Sequence, residues 1–245
     1  MRYRVDCAFL GYHYHGWQIQ DEVVTLQHVF QEVLSDIFQH DVSVVGCSRT
    51  DAKVSAEHFV FHFDGETTIP VDNLKTMLNH QLPDDIIVAE LVMVNQNFHA
   101  RKDARFKTYR YTIETGPYNV FEKHYVYQFN KHLDAYAMRA ALDVFYGTHD
   151  FTSFNATPLQ VIENQVRTMH HVDLIQKGTK IIITICGDGF LHHMVRMMVG
   201  TLIEIGRERL TIAEVKSMMD AKQKGVCRFN APPQGLLLEG VHYED

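Results

Sequence analysis

The sequence predicts an α+β protein of two halves that share the element order βαββαβ, the ferredoxin-like arrangement. Three observations predict it: strands marked by period-two alternation, amphipathic helices between them, and the return of the same order after about residue 105. In the first half, residues 3–10 alternate, with Tyr3, Val5, Cys7 and Phe9 on one side. Residues 25–38 read as a helix with Leu26, Val29, Phe30, Val33, Leu34 and Ile37 on one face, behind Thr25 as N-cap. Val42–Val45 reads as a short strand, and His58–Asp64 as a strong one in which Phe59, Phe61 and Phe63 alternate. A second helix fits residues 71–82 and ends at Leu82-Pro83, because the residue before proline is biased away from helix. Ile86–Val94 is a nearly continuous apolar run, the pattern of a strand buried on both faces.

The second half repeats the order. Lys107–Glu114 alternates as a strand, and a helix over about 134–145 stops near Gly147. Strands near 166–175 and 179–186 follow, joined by a turn at Lys177-Gly178. From Leu191 to Ile203, Leu191, Met194, Val195, Met198, Val199, Leu202 and Ile203 keep helical spacing. Thr211 and Glu214 form a capping box for one more helix, and Leu236–Val241 is the last strand. The halves meet near residues 100–106, giving domains 1–104 and 105–245. Two such antiparallel sheets side by side imply an open face or a central cleft, a common RNA platform.

Composition narrows the class without naming a ligand. At 46% hydrophobic over 245 residues the chain supports a sizeable core. No apolar run approaches the ~20 residues that cross a bilayer, and the charged, alternating start lacks the h-region of a signal peptide. These features predict a cytoplasmic protein with no membrane association. Four widely spaced cysteines, without a CxxC pair, argue against a zinc ribbon or a disulfide framework. The net charge of −7 counts against nucleic acid, but Arg101, Lys102, Arg105, Lys107 and Arg110 crowd one stretch beside Phe106, Tyr109 and Tyr111.

Three segments have the makings of a site, each with a plainer reading beside it. Gly46–Ala52 follows a β-branched strand and packs Arg49, Thr50 and Asp51 into a small-residue loop. It either presents Asp51 to a cleft with Arg49 on a phosphate, or is an Asx-type turn. On the strand from Lys107, Lys107, Tyr109 and Tyr111 face one way and Thr108, Arg110 and Thr112 the other. Tyr109 then either stacks on a base, worth roughly 1–3 kcal/mol, or is a core tyrosine with a satisfied hydroxyl. Arg196 sits on the flank of its helix's apolar face, where it either snorkels to solvent or keeps a carboxylate ionised. His192 and His193 diverge if helical, and His13 and His15 share a face if on a strand, so no metal site is placed. GxSxG, GxxxxGK[ST] and GxGxxG are all missing, which leaves acid–base or carboxylate chemistry without a nucleotide cofactor.

Taken in order, these segments resemble the TruA family of tRNA pseudouridine synthases. The loop Ser48-Arg49-Thr50-Asp51-Ala52 resembles the family's catalytic motif, and Gly11-Tyr12 with His15-Gly16-Trp17-Gln18-Ile19-Gln20 its N-terminal signature. Leu78–Ile86, Phe98-His99-Ala100-Arg101, Tyr109-Arg110-Tyr111, Asp150–Phe154, His192–Arg196 and Ala231–Leu236 follow in the expected order. The resemblance implies a cofactor-free isomerase acting on the tRNA anticodon stem-loop, at about positions 38 to 40 by analogy, and a homodimer in which one tRNA contacts both subunits. It implies Asp51 as the essential carboxylate, Tyr109 stacking on the uracil and Arg196 pairing with the aspartate. Arg49 would hold the target uridine out of the stack, with Arg101, Arg105, Lys107 and Arg110 as further RNA contacts.

The loop departs from the family's usual Gly-Arg-Thr-Asp-Ala-Gly-Val-His in three places. Ser48 replaces the first glycine, Lys53 the second and Ser55 the histidine. Glycine at the Lys53 position serves a positive φ or close RNA approach, whereas lysine adds a phosphate contact. The alternatives are a catalytically lapsed tRNA-binding paralogue, and an unrelated hydrolase pairing Asp51 with a histidine of the 192–193 region.

Overall fold

The computed structural model describes residues 1–157 and 164–244. It is a mixed α+β protein built on mostly antiparallel sheets and divides into two compact units. Unit 1 comprises Met1–Arg105 with the chain from Leu238 onward, and unit 2 comprises Phe106–Leu237.

Unit 1 runs β1 (Arg2–Phe9), α1 (Leu26–Phe38), β2 (Val44–Gly46), β3 (Ser55–Asp64), α2 (Val71–Gln81) and β4 (Ile86–Val94). β1 lies between β4 and β3, β2 pairs with β3, and every one of these pairings is antiparallel. Alternation decides the faces: Tyr3, Val5, Cys7 and Phe9 of β1 are buried with Phe59, Phe61 and Phe63 of β3. Leu26, Phe30 and Leu34 of α1 pack onto this layer, with Phe30 and Phe61 rings 4.6 Å apart. Thr25 caps the helix by accepting the His28 N–H at 3.4 Å.

The expectation of a strand buried on both faces fails at β4. Ile87 is 52% and Met93 58% exposed, while Ile86, Val88 and Leu91 are buried. β4 pairs only with β1 among the described residues, so an edge position leaves half of its apolar run in water. Near its middle, backbone groups of Val88 and Ala89 are nevertheless met from α2. Asn79 accepts the Val88 N–H at 2.7 Å and donates to the Val88 carbonyl at 3.0 Å, and Lys75 donates to the Ala89 carbonyl.

Unit 2 runs β5 (Phe106–Glu114), β6 (Tyr127–Gln128), α3 (Ala135–Leu142), β7 (Gly147–Asp150), β8 (Val166–Lys177), β9 (Lys180–Gly187), α4 (Met194–Gly206) and α5 (Ile212–Ala221). β9 lies between β5 and β8, and β7 extends the sheet beyond β8, all antiparallel; β6 is a short parallel addition to β5. β7, Gly-Thr-His-Asp, carries no apolar alternation and is absent from the sequence reading. Ile181, Ile183 and Ile185 of β9 line the core with Tyr111 and Ile113 of β5. The capping box is present: Thr211 accepts the Glu214 N–H and Glu214 accepts the Thr211 N–H at 2.8 Å. α4 is buried on nearly every side, including Met197, Gly200 and Thr201, as befits a helix apolar all round. The last strand, β10 (Leu236–His242), begins in unit 2 and ends in unit 1.

Candidate active site

Asp51 lies at the first position of a four-residue turn, Asp51–Val54, closed by the Val54 N–H donating to the Asp51 carbonyl at 3.2 Å. Lys53, the third residue, has φ +67°, the sign that a type II turn reserves for glycine at that position. The sequence expectation that a positive φ underlies the family's glycine is therefore met by a lysine in a left-handed conformation. Its ammonium lies 5.5 Å from the centre of the Tyr12 ring.

The loop is held by the N-terminal signature. The Trp17 N–H donates to the Thr50 carbonyl at 3.1 Å, the Lys53 N–H donates to the Tyr14 carbonyl at 3.0 Å, and the Gly11 N–H donates to Ser55 Oγ at 2.9 Å. Two glycines let the strands of this clamp approach. A Cβ on Gly11 would stand 2.0 Å from the Val54 carbonyl oxygen, and one on Gly16 would stand 2.5 Å from that of Thr50. Gly16 also has φ +87°. Behind the loop, Trp17 stacks on Phe59 at 4.2 Å and fills the space a side chain at Gly46 would need. The clamp glycines and Trp17 belong to a quoted signature, but their spacing alone does not say that they hold the Asp51 loop.

Within this frame the Asp51 side chain is half-buried, Arg49 is exposed, and Thr50 is buried with its hydroxyl unpartnered among the described residues. Arg101 is also exposed, and its guanidinium is held below the usual arginine range, first by partial desolvation and then by the charge of Arg49. Arg105 is engaged elsewhere: its side chain pairs with Glu244 and its N–H donates to the His242 carbonyl at 2.8 Å.

In unit 2 the β5 alternation is as read from sequence. Lys107, Tyr109 and Tyr111 are buried, and Thr108, Arg110 and Thr112 half-buried on the other face. Lys107, at 9% exposure, belongs to the tyrosine side of the strand. Tyr109 sits 4.9 Å from Phe190 with the rings at 80°. Tyr111 donates to the Pro232 carbonyl at 2.7 Å, and Gly235 admits its ring. Arg196, half-buried on α4, donates through Nε to the Ala231 carbonyl at 2.9 Å while its own carbonyl accepts the Ala231 N–H at 2.9 Å. Gly200 permits this, since a Cβ there would lie 2.8 Å from the Asn230 nitrogen. Arg196 is thus tied to the Ala231–Leu236 motif.

Two histidine readings change. His192 and His193 precede α4, with His193 as N-cap at φ +60°, so helical divergence does not apply and their rings stand 4.0 Å apart. His13 closes a 3-10 turn, Gly11–His13, and His15 follows in a loop, so no strand face joins them.

A family profile described as tRNA pseudouridine synthase matches residues 7–103 and 141–244. The chain belongs to that family. Among its pseudouridine synthase relatives, a tRNA pseudouridine synthase A of Exiguobacterium sp. is 40% identical over 243 residues, covering 99% of this chain and 98% of the relative. The proteins of the same name from Clostridium acetobutylicum and Bacillus subtilis are 39% and 36% identical and span 98% and 100% of both chains. The crystal structure of a Cbf5-Nop10-Gar1 complex aligns with 98% of this chain and 50% of the other at 11% identity and a TM-score of 0.40, too low to add to the assignment.

Proposed function

We propose that this chain isomerises uridine to pseudouridine in the anticodon stem-loop of tRNA, at about positions 38 to 40, with Asp51 as the essential carboxylate. In this reaction the N1–C1′ bond of uridine breaks, the uracil turns, and a C5–C1′ bond forms as C5 loses its proton and N1 gains one. The exchange is redox-neutral, so no electron carrier enters. The observation that carries the reading is the clamp on the Asp51 turn. Three contacts from Gly11, Tyr14 and Trp17 fix the backbone around Asp51 while its side chain stays half-accessible. A residue that attacks the ribose, or takes a proton from it, needs such fixed geometry.

Tyr109 is assigned to stacking on the uracil, Arg196 to neutralising the catalytic carboxylate, Arg49 to holding the flipped uridine, and Arg101 to an RNA phosphate contact. Arg105, Lys107 and Arg110 remain further RNA contacts in this proposal. Each half is read as ferredoxin-like, with the RNA held in a central cleft. The antiparallel order β4-β1-β3-β2 in unit 1 and the place of β9 between β5 and β8 support that reading of the halves. The working form is taken to be a cytoplasmic homodimer; no helix among the described residues is long and apolar enough to cross a membrane. A second reading, a tRNA-binding relative without turnover, draws on Lys53 alone, the left-handed lysine where the family has glycine.

Tritium release from [5-³H]uridine-labelled tRNA, with no added cofactor, tests the proposal. Asp51→Asn is expected to lower release at least about a thousandfold and to leave tRNA affinity within about threefold. Binding without release by the unsubstituted chain would select the second reading, and release by Asp51→Asn would remove Asp51 from its role.

A further inference from the structure

The segment that carries Arg101 is fixed from the sheet beneath it. The alternation that sends Phe59, Phe61 and Phe63 of β3 into the core sends His58, Val60 and His62 to the opposite face. Residues 98–100 lie against His62, with the Phe98 and His99 rings 6.1 and 5.0 Å from its own. Ala100, fully buried, is held at both of its backbone polar atoms. Its N–H donates to His62 Nδ1 at 3.1 Å, and its carbonyl accepts from Tyr243 Oη at 2.7 Å. One residue upstream of His99, the Phe98 carbonyl accepts from Arg2 at 2.8 Å, and Arg2 is itself clasped to Asp64 at 2.7–2.8 Å. Past Ala100 the chain bends sharply, the Arg101 and Lys102 N–H groups both donating to His99 Nδ1 at 3.2 and 3.3 Å. Arg101 therefore leaves a backbone pinned on either side of its neighbour, and its side chain is exposed.

We propose that His62 and Tyr243 are positioning residues that hold Arg101 in place to grip an RNA phosphate, an inference that rests on the reading of this chain as a tRNA-modifying enzyme. Partial burial and the nearby charge of Arg49 disfavour the charge of Arg101, an anion on its guanidinium relieves this, and phosphate accepts the paired, charge-assisted hydrogen bonds that a guanidinium offers. The state of His62 suits the task. Burial first, and then the charges of Arg2 and His99, push its imidazole down to about 4, so at neutral pH Nδ1 keeps the lone pair that the Ala100 N–H requires. Tyr243 stays a donor, because burial above all raises its phenol.

The test compares tritium-release kinetics, and tRNA binding across a salt series, for the unsubstituted chain and for Arg101→Gln, His62→Leu, His62→Asn, Tyr243→Phe and Arg101→Gln combined with His62→Leu. Arg101→Gln is expected to raise KM about tenfold, keep kcat within about twofold, and reduce the slope of log affinity against log salt by about one. His62→Leu should reproduce that pattern and add nothing in the double variant, while His62→Asn, whose Oδ1 replaces Nδ1 as acceptor, should recover most of the loss. Tyr243→Phe should move KM the same way by several-fold, and it carries the test if His62→Leu does not fold. The inference is overturned if His62→Leu and Tyr243→Phe lower thermal stability with KM and salt slope unchanged, or if the His62→Leu effect adds in full to that of Arg101→Gln. An Arg101→Gln variant with unaltered KM and slope refutes the grip itself. A chain that binds tRNA but releases no tritium fails the functional reading, and the binding series then still decides the role of His62.

Discussion

The two units hold their candidate site residues by different means. In unit 2, Tyr109 sits inside β5, paired opposite Ile185 of β9, and Arg196 lies on α4, so each stands on a regular element, to which Arg196 adds its contacts with Ala231. In unit 1, Asp51 stands on a turn with no ladder of its own, and a separate stretch, Gly11–Trp17, supplies two backbone bonds and one to the Ser55 hydroxyl. A side chain on a strand or helix inherits its position, whereas one on a loop needs dedicated partners elsewhere in the sequence. In unit 1 the tight glycines, Gly11 and Gly16, and the left-handed Lys53 therefore gather around the Asp51 loop itself.

The sharpest way to break this contrast is Gly16→Ala. The new Cβ meets the Thr50 carbonyl at 2.5 Å on a residue at φ +87°, so the Asp51 turn has to shift. A shift of about 1 Å is expected to lower turnover roughly a hundredfold, read by tritium release alongside a melting curve. Unchanged turnover would mean that the clamp does not set the position of Asp51.

Acid stability is the next largest effect, and it belongs to unit 1. An unfolded histidine titrates near ~6.5, and His62 in the fold is pushed down to about 4, burial leading, with Arg2 and His99 lowering and Asp64 and Asp103 raising it. Between those values the unfolded chain binds the extra proton. The contribution is thus complete above about pH 6.5, falls as pH drops, and is gone near 4, amounting to on the order of 2–3 kcal/mol. Asp6 acts in a lower window. Burial alone would raise its pKa, but hydrogen bonds from His58 and Arg4 outweigh it, so its contribution is lost only on acidification below the ordinary carboxylate range. Urea denaturation from pH 4 to 7 should show the His62 limb, and His62→Asn should flatten it.

Two smaller changes sharpen the contrast. Thr211→Ala opens the capping box of α5 in unit 2 and should lower stability by about 1 kcal/mol with kcat unchanged, since that helix holds its place without bearing a site residue. Lys53→Gly should raise stability by about 0.5–1 kcal/mol, because glycine accepts φ +67° without the Cβ conflict that lysine meets. A lysine-to-glycine change that destabilises would show that the contact with Tyr12 outweighs the backbone strain.

Most elements were legible because most strands bury one face and most helices one stripe, α4 being buried nearly all round. The Thr25 cap, the Thr211–Glu214 box and the β5 alternation all lie where the side chains put them. The differences lie in what periodicity does not report. Nothing in Ile86–Val94 tells an edge strand from a central one, since that depends on which strand pairs beside it. The start of α4 moved to Met194 because His193 takes a left-handed conformation, which no periodicity reports. In the candidate site, the Asp51 motif was visible as a motif, but the contacts that hold it join residues 11–17 to 50–55, a pairing invisible to spacing. The ion pair of Arg105, a member of the basic run, with Glu244, well over a hundred residues on, is likewise a contact that the run itself does not show.

The contact between Asn79 and β4 bears on self-association. An apolar strand at the margin of a sheet offers a template on which another chain can add, and Ile87 and Met93 make this one sticky. The Asn79 amide occupies both outward polar atoms of Val88 and Lys75 takes the Ala89 carbonyl, so a strand approaching there finds its hydrogen bonds already taken. Asn79, near the start of the Leu78–Ile86 motif, thus closes that stretch of the edge to an added strand.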